Sequence, residues 1–458
     1  MESIMINKIL DITSGELLQG EINQEITGVV IDSRTVKPGD LYIPIVGGNN
    51  NGHIFIKDVF ENGATITLTQ EKKMDFPGKM TVIFVPSTLE AMKALASYHR
   101  HRYTLPVIAI TGSSGKTTTK DLVGAVLSQK YCILKTQGNF NNEYGIPQTL
   151  FQLEPKHEMA VIEMGMDHLG DITKSINEVD PDISVITNIG LTHIEILKTQ
   201  ENIFLAKKEI LQTLGNGKIA LVNGDDPFLR KLRSEEHAFK VKSFGFHDEH
   251  NLKILDYTSH SRGLNMKMDW EGQMESYTFA FPGKHNIYNC MVAIWLGHYF
   301  KMTQQEIQKG LDAFVPSQNR MDIFSVREMM VINDSYNANP DAMKGALDVL
   351  NTMKTDYKRS IAILGDMLEM GDYGPVAHFK TGEYAQTKAD ILIGVGSLGE
   401  DICRGYGSGK GQVYHVSDAK AAGECVASIM ATGDIILIKA SRGMGLEKTL
   451  EYIKGEKK

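Results

Sequence analysis

Short, wholly apolar runs alternate along the chain with longer stretches in which apolar positions recur every three or four residues. The first pattern marks strands buried on both faces, the second helices packed against them. In the first hundred residues the runs lie at 26–31, 41–46 and 81–85, and 89–103 has a helical pattern. Between them sits a polar loop, Gly47-Gly48-Asn49-Asn50-Asn51-Gly52, whose glycines suit positive φ or close backbone approach. A second unit opens at Pro106. Its first run, 107–110, reads as a buried parallel strand, and Leu122, Val123, Val126 and Leu127 then recur at helical spacing. Runs at 160–162, 183–186 and 219–222 follow, with a helical stretch over 201–214 and the two-residue alternation of an antiparallel edge over 240–282. Near 316–320 the pattern restarts, with strands predicted at 330–332, 361–364, 391–395 and 435–438. Strands alternating with helices predict an α/β fold of three domains. These are a small α/β domain over 1–104, a central, mainly parallel-sheet domain over 105–315, and a smaller, doubly wound, Rossmann-like domain over 316–458.

Length agrees with that division, since 458 residues at roughly 150 per domain gives about three. The charge excludes one class of function. Against 48 Lys and Arg stand 56 Asp and Glu, a net charge of -8, so neither a nucleic acid nor a membrane surface is expected as partner. No apolar run reaches the roughly 18 residues of a membrane span, and 1–10 lacks a signal peptide's basic start and long apolar core. The four cysteines, Cys132, Cys290, Cys403 and Cys425, are widely spaced and form no CxxC. They are expected as buried thiols in a reducing compartment.

The strongest chemical signal is Thr111-Gly112-Ser113-Ser114-Gly115-Lys116-Thr117-Thr118, which follows a predicted strand and precedes a predicted helix. That is the setting of a phosphate-binding loop, although Ile110 stands where GxxxxGK[ST] has its first glycine. Its backbone N–H groups and the helix N-terminus can hold phosphate oxygens. Lys116 can reach the terminal phosphates, and the Thr117 hydroxyl can ligate Mg²⁺. Glu163, at the end of the run 160–162, is placed where a carboxylate can face a Mg²⁺-nucleotide. His193, Lys207 and Lys208 are not singled out by spacing: a loop histidine and helix lysines are usually solvated.

Taken together, several segments resemble one family, the ATP-dependent Mur ligases. In the first unit these are Asp32-Ser33-Arg34, Val36-Lys37-Pro38-Gly39-Asp40-Leu41 and Gly52-His53-Ile54-Phe55. In the second they are the loop Thr111 to Thr118, whose displaced glycine is the family's form, and Gly138-Asn139-Phe140-Asn141-Asn142-Glu143-Tyr144-Gly145-Ile146-Pro147. Glu163-Met164-Gly165-Met166, Thr187-Asn188-Ile189-Gly190, Ala206-Lys207-Lys208-Glu209-Ile210 and Pro282-Gly283-Lys284-His285-Asn286-Ile287-Tyr288-Asn289 also match. In the third, Asp334-Ser335-Tyr336-Asn337-Ala338-Asn339-Pro340 resembles the branch that adds a dipeptide. Leu364-Gly365-Asp366-Met367-Leu368-Glu369-Met370-Gly371 and Lys439-Ala440-Ser441-Arg442 complete the resemblance. The Tyr-Ala-His-Thr-Pro and Asp-Asn-Pro-Arg segments of the branch that adds the third amino acid are absent. The chain departs from the family at Asn51, where Asp is frequent, at Asp171, where Glu is usual, and at Ala440, where Gly is usual.

The resemblance implies an enzyme that joins D-alanyl-D-alanine to UDP-N-acetylmuramoyl-tripeptide with cleavage of ATP to ADP and phosphate, through an acyl phosphate. It implies Lys116, Glu163, His193 and Lys207 as catalytic residues. It implies ATP contacts from Thr111 to Thr118, Asn286, Arg320, Asp334, Tyr336 and Asn337, and substrate contacts from Ser33, Arg34, Thr35, Gly48, His53, Asn141 and Asn142. Two Mg²⁺ are implied, one on Thr117 and Glu163, the other on His193 and a carbamylated lysine assigned to Lys207, with Lys208 one register away. A cytoplasmic monomer is expected. The competing readings are a Mur-type ligase for another amine or acceptor, folylpolyglutamate synthetases included, a nucleotide-binding homologue without catalysis, and a generic P-loop kinase or GTPase.

Overall fold

The computed structural model describes residues 1–48, 51–247, 249–407 and 411–457. Asn49 and Asn50 of the polar loop lie outside them. The chain is α/β, built on three main sheets. The first has the order Glu16–Gln19, Thr81–Phe84, Ile66–Thr69, Asp40–Tyr42, Gly28–Val30, parallel except for the antiparallel first strand. Beside it Ile4–Met5 pairs with Glu25–Ile26. Helix Thr88–His101 leads out, held at its start by the Ser87 hydroxyl accepting from the Glu90 N–H.

The second sheet has nine strands, in the order Gln273–Phe279, Gly263–Trp270, Leu252–His260, Lys240–Gly245, Ile219–Asn223, Ile183–Ile186, Val107–Thr111, Met159–Glu163, Ile133–Lys135. The last seven pair in parallel, and two hairpins make the antiparallel edge. Both faces of its middle are covered, which is why its strands read as unbroken apolar runs. Ile108 and Ile110 pack beneath helices Lys116–Leu127 and Lys284–Tyr299, while Val107 and Ala109 face a core continuous with Met92 and Leu95 and with Met343 and Leu347. The third sheet runs Asp322–Val326, Met329–Asn333, Asp434–Lys439, Arg359–Gly365, Ile391–Val395, Gln412–Val416, parallel except for its first pair.

Six strands escape the apolar pattern, the two-residue Ile4–Met5 and the edge strand Asp322–Val326 among them. Ile66–Thr69 is interrupted by Thr67 and Thr69, both buried; the Thr67 hydroxyl bonds the Tyr42 carbonyl at 3.1 Å. Glu16–Gln19, Ile133–Lys135 and Gln412–Val416 are sheet edges with polar residues on their open faces. The predicted run 26–31 is two strands, divided at Thr27. The helix predicted over 201–214 ends early: Gln200–Lys208 is α-helical and Glu209–Leu211 tightens to a 3₁₀ turn. The expectation of four buried thiols is corrected. Cys290 is buried, but Cys132, in the connection before the edge strand Ile133–Lys135, is exposed, and Cys403 and Cys425, on helices Gly399–Tyr406 and Ala419–Ile429, are partly so.

One buried pair joins the first unit to the second. Glu178 on helix Thr173–Val179 lies 3.6 Å from Lys93 on Thr88–His101, and its Oε2 has no hydrogen-bond partner. Burial, offset in part by Lys93, pushes the carboxyl pKa up to about 8. A carboxyl raised above its unfolded value keeps its proton while the unfolded chain ionises, so its contribution declines as pH rises from about 4.5 to about 8. One pKa unit corresponds to about 1.4 kcal/mol. The unfolding midpoint of the chain is therefore expected to fall over that window, and Glu178→Gln to flatten the fall, gaining about 1–3 kcal/mol at pH 8 and little at pH 5. Parallel melting curves for the two proteins across the window would refute this.

Candidate active site

The second sheet has its topological switch at Val107–Thr111. The chain leaves this strand for the edge at Ile133–Lys135, returns to Met159–Glu163 beside it, then crosses to Ile183–Ile186 on its other flank. A crevice opens at the carboxyl ends of strands at such a point. The loop 112–115 fills it. Gly112 has φ +151, and a Cβ there would meet the Thr187 hydroxyl at 1.9 Å. Gly115 has φ +80 and stands before the first turn of Lys116–Leu127. The Ser113 and Ser114 N–H groups are held by Asn188, at 3.0 and 2.9 Å, so the loop offers the cleft the N–H groups of 115–118 and the positive end of the helix.

Lys116 lies across this loop, its Nζ donating to the Gly112 carbonyl at 2.8 Å. Desolvation lowers its pKa, the Arg320 charge adds to this, and Glu163 opposes it. The Thr117 hydroxyl donates to Glu163 Oε1 at 3.1 Å, and Asn141 Nδ2 donates to the same oxygen at 2.8 Å. Glu163, though at a strand end, is only 1% exposed. Its second oxygen has no hydrogen bond, and its nearest cation, Lys120 Nζ, is 4.0 Å away. A buried carboxylate oxygen left without a partner costs free energy unless something else pairs with it.

His193 has φ +63 and caps the short helix Ile194–Leu197. Its Nδ1 lies 2.8 Å from Glu369 Oε2 and 3.4 Å from Asp167 Oδ1, within ion-pair distance of both but aligned for a hydrogen bond with neither. The histidine lowers the Glu369 pKa. Lys207 is 1% exposed and makes no hydrogen bond or ion pair among the described residues. Burial holds its pKa well below the usual lysine value, and Lys116 lowers it further. Lys208, by contrast, points outward and pairs with Glu235 at 2.9 Å.

The third sheet closes the crevice. Arg320 lies over the Tyr336 ring, 3.7 Å from its centroid. Asp334 accepts from Lys439 at 2.5 Å and from the Met321 N–H at 3.0 Å, and Lys439 also donates to the Asn337 carbonyl. Asn339 caps helix Pro340–Met353 and bonds Ser114 and Thr192 across the interface. The result is a cleft of about 760 Å³. Ser113 to Thr118, Asn141, Asn142, Glu163, His193, Asn286, Arg320, Asp334, Tyr336 and Asn337 all line it. Its far wall, with Phe244, Phe281, Tyr288 and Phe314, is aromatic.

Other expected residues stand apart. Thr111, Gly112 and Lys207 lie behind the lining. Ser33, Arg34, Thr35, Gly48 and His53 belong to the first unit and do not reach the cleft. Arg34 is paired with Asp32 at 2.7 Å, which lowers the Asp32 pKa to about 2. His53 is buried, its Nδ1 2.6 Å from Asn51 Oδ1 and its Nε2 accepting from the Gln70 N–H. Sequence reasoning missed Lys120, Thr192, Asn289, Asn339 and Lys439. Asn289, Asn339 and Lys439 lie in segments that resemble the family but were given no role there; Asn339 also carried a local signal, an Asn-Pro pair opening a helical pattern. Among the described residues no three His, Cys, Asp or Glu side chains gather as a ready metal cluster. No helix among them is long and apolar enough to cross a membrane.

Three family models cover most of the chain: the Mur ligase family catalytic domain at 25–100, the Mur ligase middle domain at 110–297 and the Mur ligase glutamate ligase domain at 319–442. A UDP-N-acetylmuramoyl-tripeptide–D-alanyl-D-alanine ligase of Bacillus subtilis is 33% identical over 451 residues, 97% of either chain. The enzyme of that name from Escherichia coli is 29% identical over 99% of either chain. Among solved structures, MurF from Acinetobacter baumannii superposes with a TM-score of 0.91 at 26% identity, covering all of both chains. A Thermotoga maritima MurF ligase in complex with ADP gives 0.83 at 25% identity, over 93% of this chain and 97% of that one. With its phosphate loop, its closing third sheet and full-length relatives of one kind, the chain belongs to the Mur ligase family.

Proposed function

We propose that the chain is an ATP-dependent amide ligase of the MurF branch, joining D-alanyl-D-alanine to UDP-N-acetylmuramoyl-tripeptide and releasing ADP and phosphate. The observation that carries this reading is one cleft lined jointly by the phosphate loop, by Glu163 and His193, and by Arg320, Asp334 and Tyr336 of the third sheet. Full-length relatives bearing that name support it. The working units are 1–104 for the UDP-muramoyl substrate, 105–315 for ATP and 316–458 for closure and ligation. Ser33, Arg34, Thr35, Gly48 and His53 serve the first of these, with Asn141 and Asn142 at its border with the second.

The reaction brings a carboxylate against a triphosphate, so like charges must be held together. Lys116 and the N–H groups of 115–118 receive the phosphates. Arg320 adds a cation from the opposite wall, and Asn286, Asp334, Tyr336 and Asn337 hold the nucleoside end. The donor set fits Mg²⁺. Glu163 Oε2 is buried and unpartnered, and Thr117 supplies a hydroxyl beside it. That ion takes one or two carboxylates plus phosphate oxygens and water, so no cluster of three is required. Thr117 and Glu163 would hold one Mg²⁺, and His193 with a carbamylated Lys207 a second; bound there, they would neutralise charge developing on the phosphates. After phosphoryl transfer to the tripeptide carboxylate, the dipeptide amine attacks the acyl carbon and phosphate leaves. Water would compete at that stage, and the third sheet packed over the loop keeps it out. Because one chain carries the whole set, it acts as a cytoplasmic monomer, where ATP and UDP-sugars are available.

The test is phosphate release with UDP-N-acetylmuramoyl-tripeptide present and D-alanyl-D-alanine present or withheld. Release that needs both, with a product heavier by one dipeptide, is expected. ATP binding without release for any amine would overturn the reading in favour of a non-catalytic homologue, and release with another amine in favour of a different Mur-type ligase.

A further inference from the structure

We infer that Asn339 is a positioning residue that couples docking of the third sheet to the direction of the Ser114 hydroxyl in the phosphate loop. The inference deepens the proposed function and rests on it. Asn339 is 7% exposed and its side chain is fully used. Its Oδ1 accepts from the Ala342 N–H at 2.8 Å, capping Pro340–Met353. Its Nδ2 donates to Ser114 Oγ at 2.9 Å and to Thr192 Oγ1 at 3.0 Å. An amide nitrogen has two protons and no acceptor capacity, so both hydroxyl oxygens are acceptors in these bonds.

Each hydroxyl must then send its own proton elsewhere. Thr192 sends it to the Ser113 carbonyl at 3.2 Å. Ser114 Oγ donates to no protein group among the described residues, so its proton is free to point into the cleft it lines. The rest of Ser114 is pinned. Its N–H donates to Asn188 Oδ1 at 2.9 Å, and its carbonyl accepts from Thr187 Oγ1 at 2.7 Å and Asn188 Nδ2 at 3.0 Å. Only the hydroxyl's direction is left to set, and the group that sets it comes from the third sheet's side. Docking of that sheet thus completes a phosphate-facing donor, and the same amide braces the loop one residue before His193.

Asn339→Asp isolates this. The substituted carboxylate still caps the helix, but it has no proton to give, so the Ser114 hydroxyl would turn to donate to it and away from the cleft. The expected result is a fall in kcat of roughly 10–100-fold, as for loss of one preorganised donor to a phosphate, with a smaller rise in KM for ATP from the added negative charge and the unfolding midpoint preserved. Ser114→Ala should show a similar kcat loss. In the double variant the two losses should not multiply, because both remove the same donor. Multiplying losses, an undiminished kcat in Asn339→Asp, or a rise in KM for ATP matching the loss in kcat/KM would overturn the inference. If the wild-type chain itself gives no ligation with the proposed substrates, the proposed function fails instead, and that control separates the two failures.

Discussion

Lys116→Met is expected to lower kcat/KM for ligation by about 10³-fold or more while leaving the fold intact. The lysine is poor in structural work. Among the described residues its side chain makes one hydrogen bond, to the Gly112 carbonyl within its own loop, and methionine keeps the apolar length of its stem. The partly buried ammonium is costly on its own, since desolvation and the Arg320 charge both lower its pKa. A strained cation of this kind gains most when a polyanion arrives, and more still when negative charge spreads over a transferring phosphoryl group. Both ATP affinity and the chemical step should therefore suffer, with kcat the larger part. Lys116→Arg should not restore activity, because the guanidinium is a broad planar fork where the loop leaves room for a point charge. Steady-state phosphate release and a melting curve on the same preparation test this. A loss of less than tenfold with the fold retained would mean that the loop binds nucleotide without Lys116 stabilising the transfer.

How much of this site was legible in the sequence depends on whether a residue's neighbours are local. The phosphate loop was legible because strand, glycines, lysine and helix are contiguous, and the backbone alone makes the cradle. The central strands were legible because burial on both faces removes polar positions from the run. Ile66–Thr69 was not, because its threonines satisfy their hydroxyls inside the fold. Glu163 reads as an ordinary strand-end carboxylate, and what sets it apart, burial to 1% with one oxygen unpartnered, comes from Thr136, Asn141 and Lys120 arriving from other segments. Asn339 meets Ser114 across 225 positions of sequence, a distance no spacing rule spans. The lysine pair shows the same limit most sharply. Nothing in Lys207-Lys208 tells the two apart, yet one is 1% exposed with no hydrogen bond or ion pair among the described residues, and the other is paired with Glu235 at the surface.

That difference carries the second large effect. Lys207→Met is expected to reduce kcat by about 10²–10³-fold and to raise the unfolding midpoint, or at least not lower it. An amine buried without a hydrogen bond pays its desolvation in full, and an apolar side chain of similar length does not. A residue kept for stability would show the opposite sign. In the proposed function this amine is the one carbamylated, and its lowered pKa suits that role: more of it is neutral near pH 7 than for an exposed lysine, and a neutral amine can add to carbon dioxide. The resulting carbamate is an anion able to ligate Mg²⁺, which an ammonium cannot do. The sign in pH follows. As pH falls through the lowered pKa the amine takes up its proton and the carbamate is lost, so activity in carbon-dioxide-depleted buffer should drop on the acid side and return when bicarbonate is added. A carbamate carbon signal from ¹³C-bicarbonate should be present in the wild type and absent in Lys207→Met and Lys207→Arg. Lys208→Met, which removes only the surface pair with Glu235, should keep activity within about twofold, since exposed pairs are worth about 0–1 kcal/mol. If Lys208→Met loses the signal and the activity while Lys207→Met keeps both, the assignment moves by one residue; if neither variant changes kcat, the carbamate has no part in the reaction.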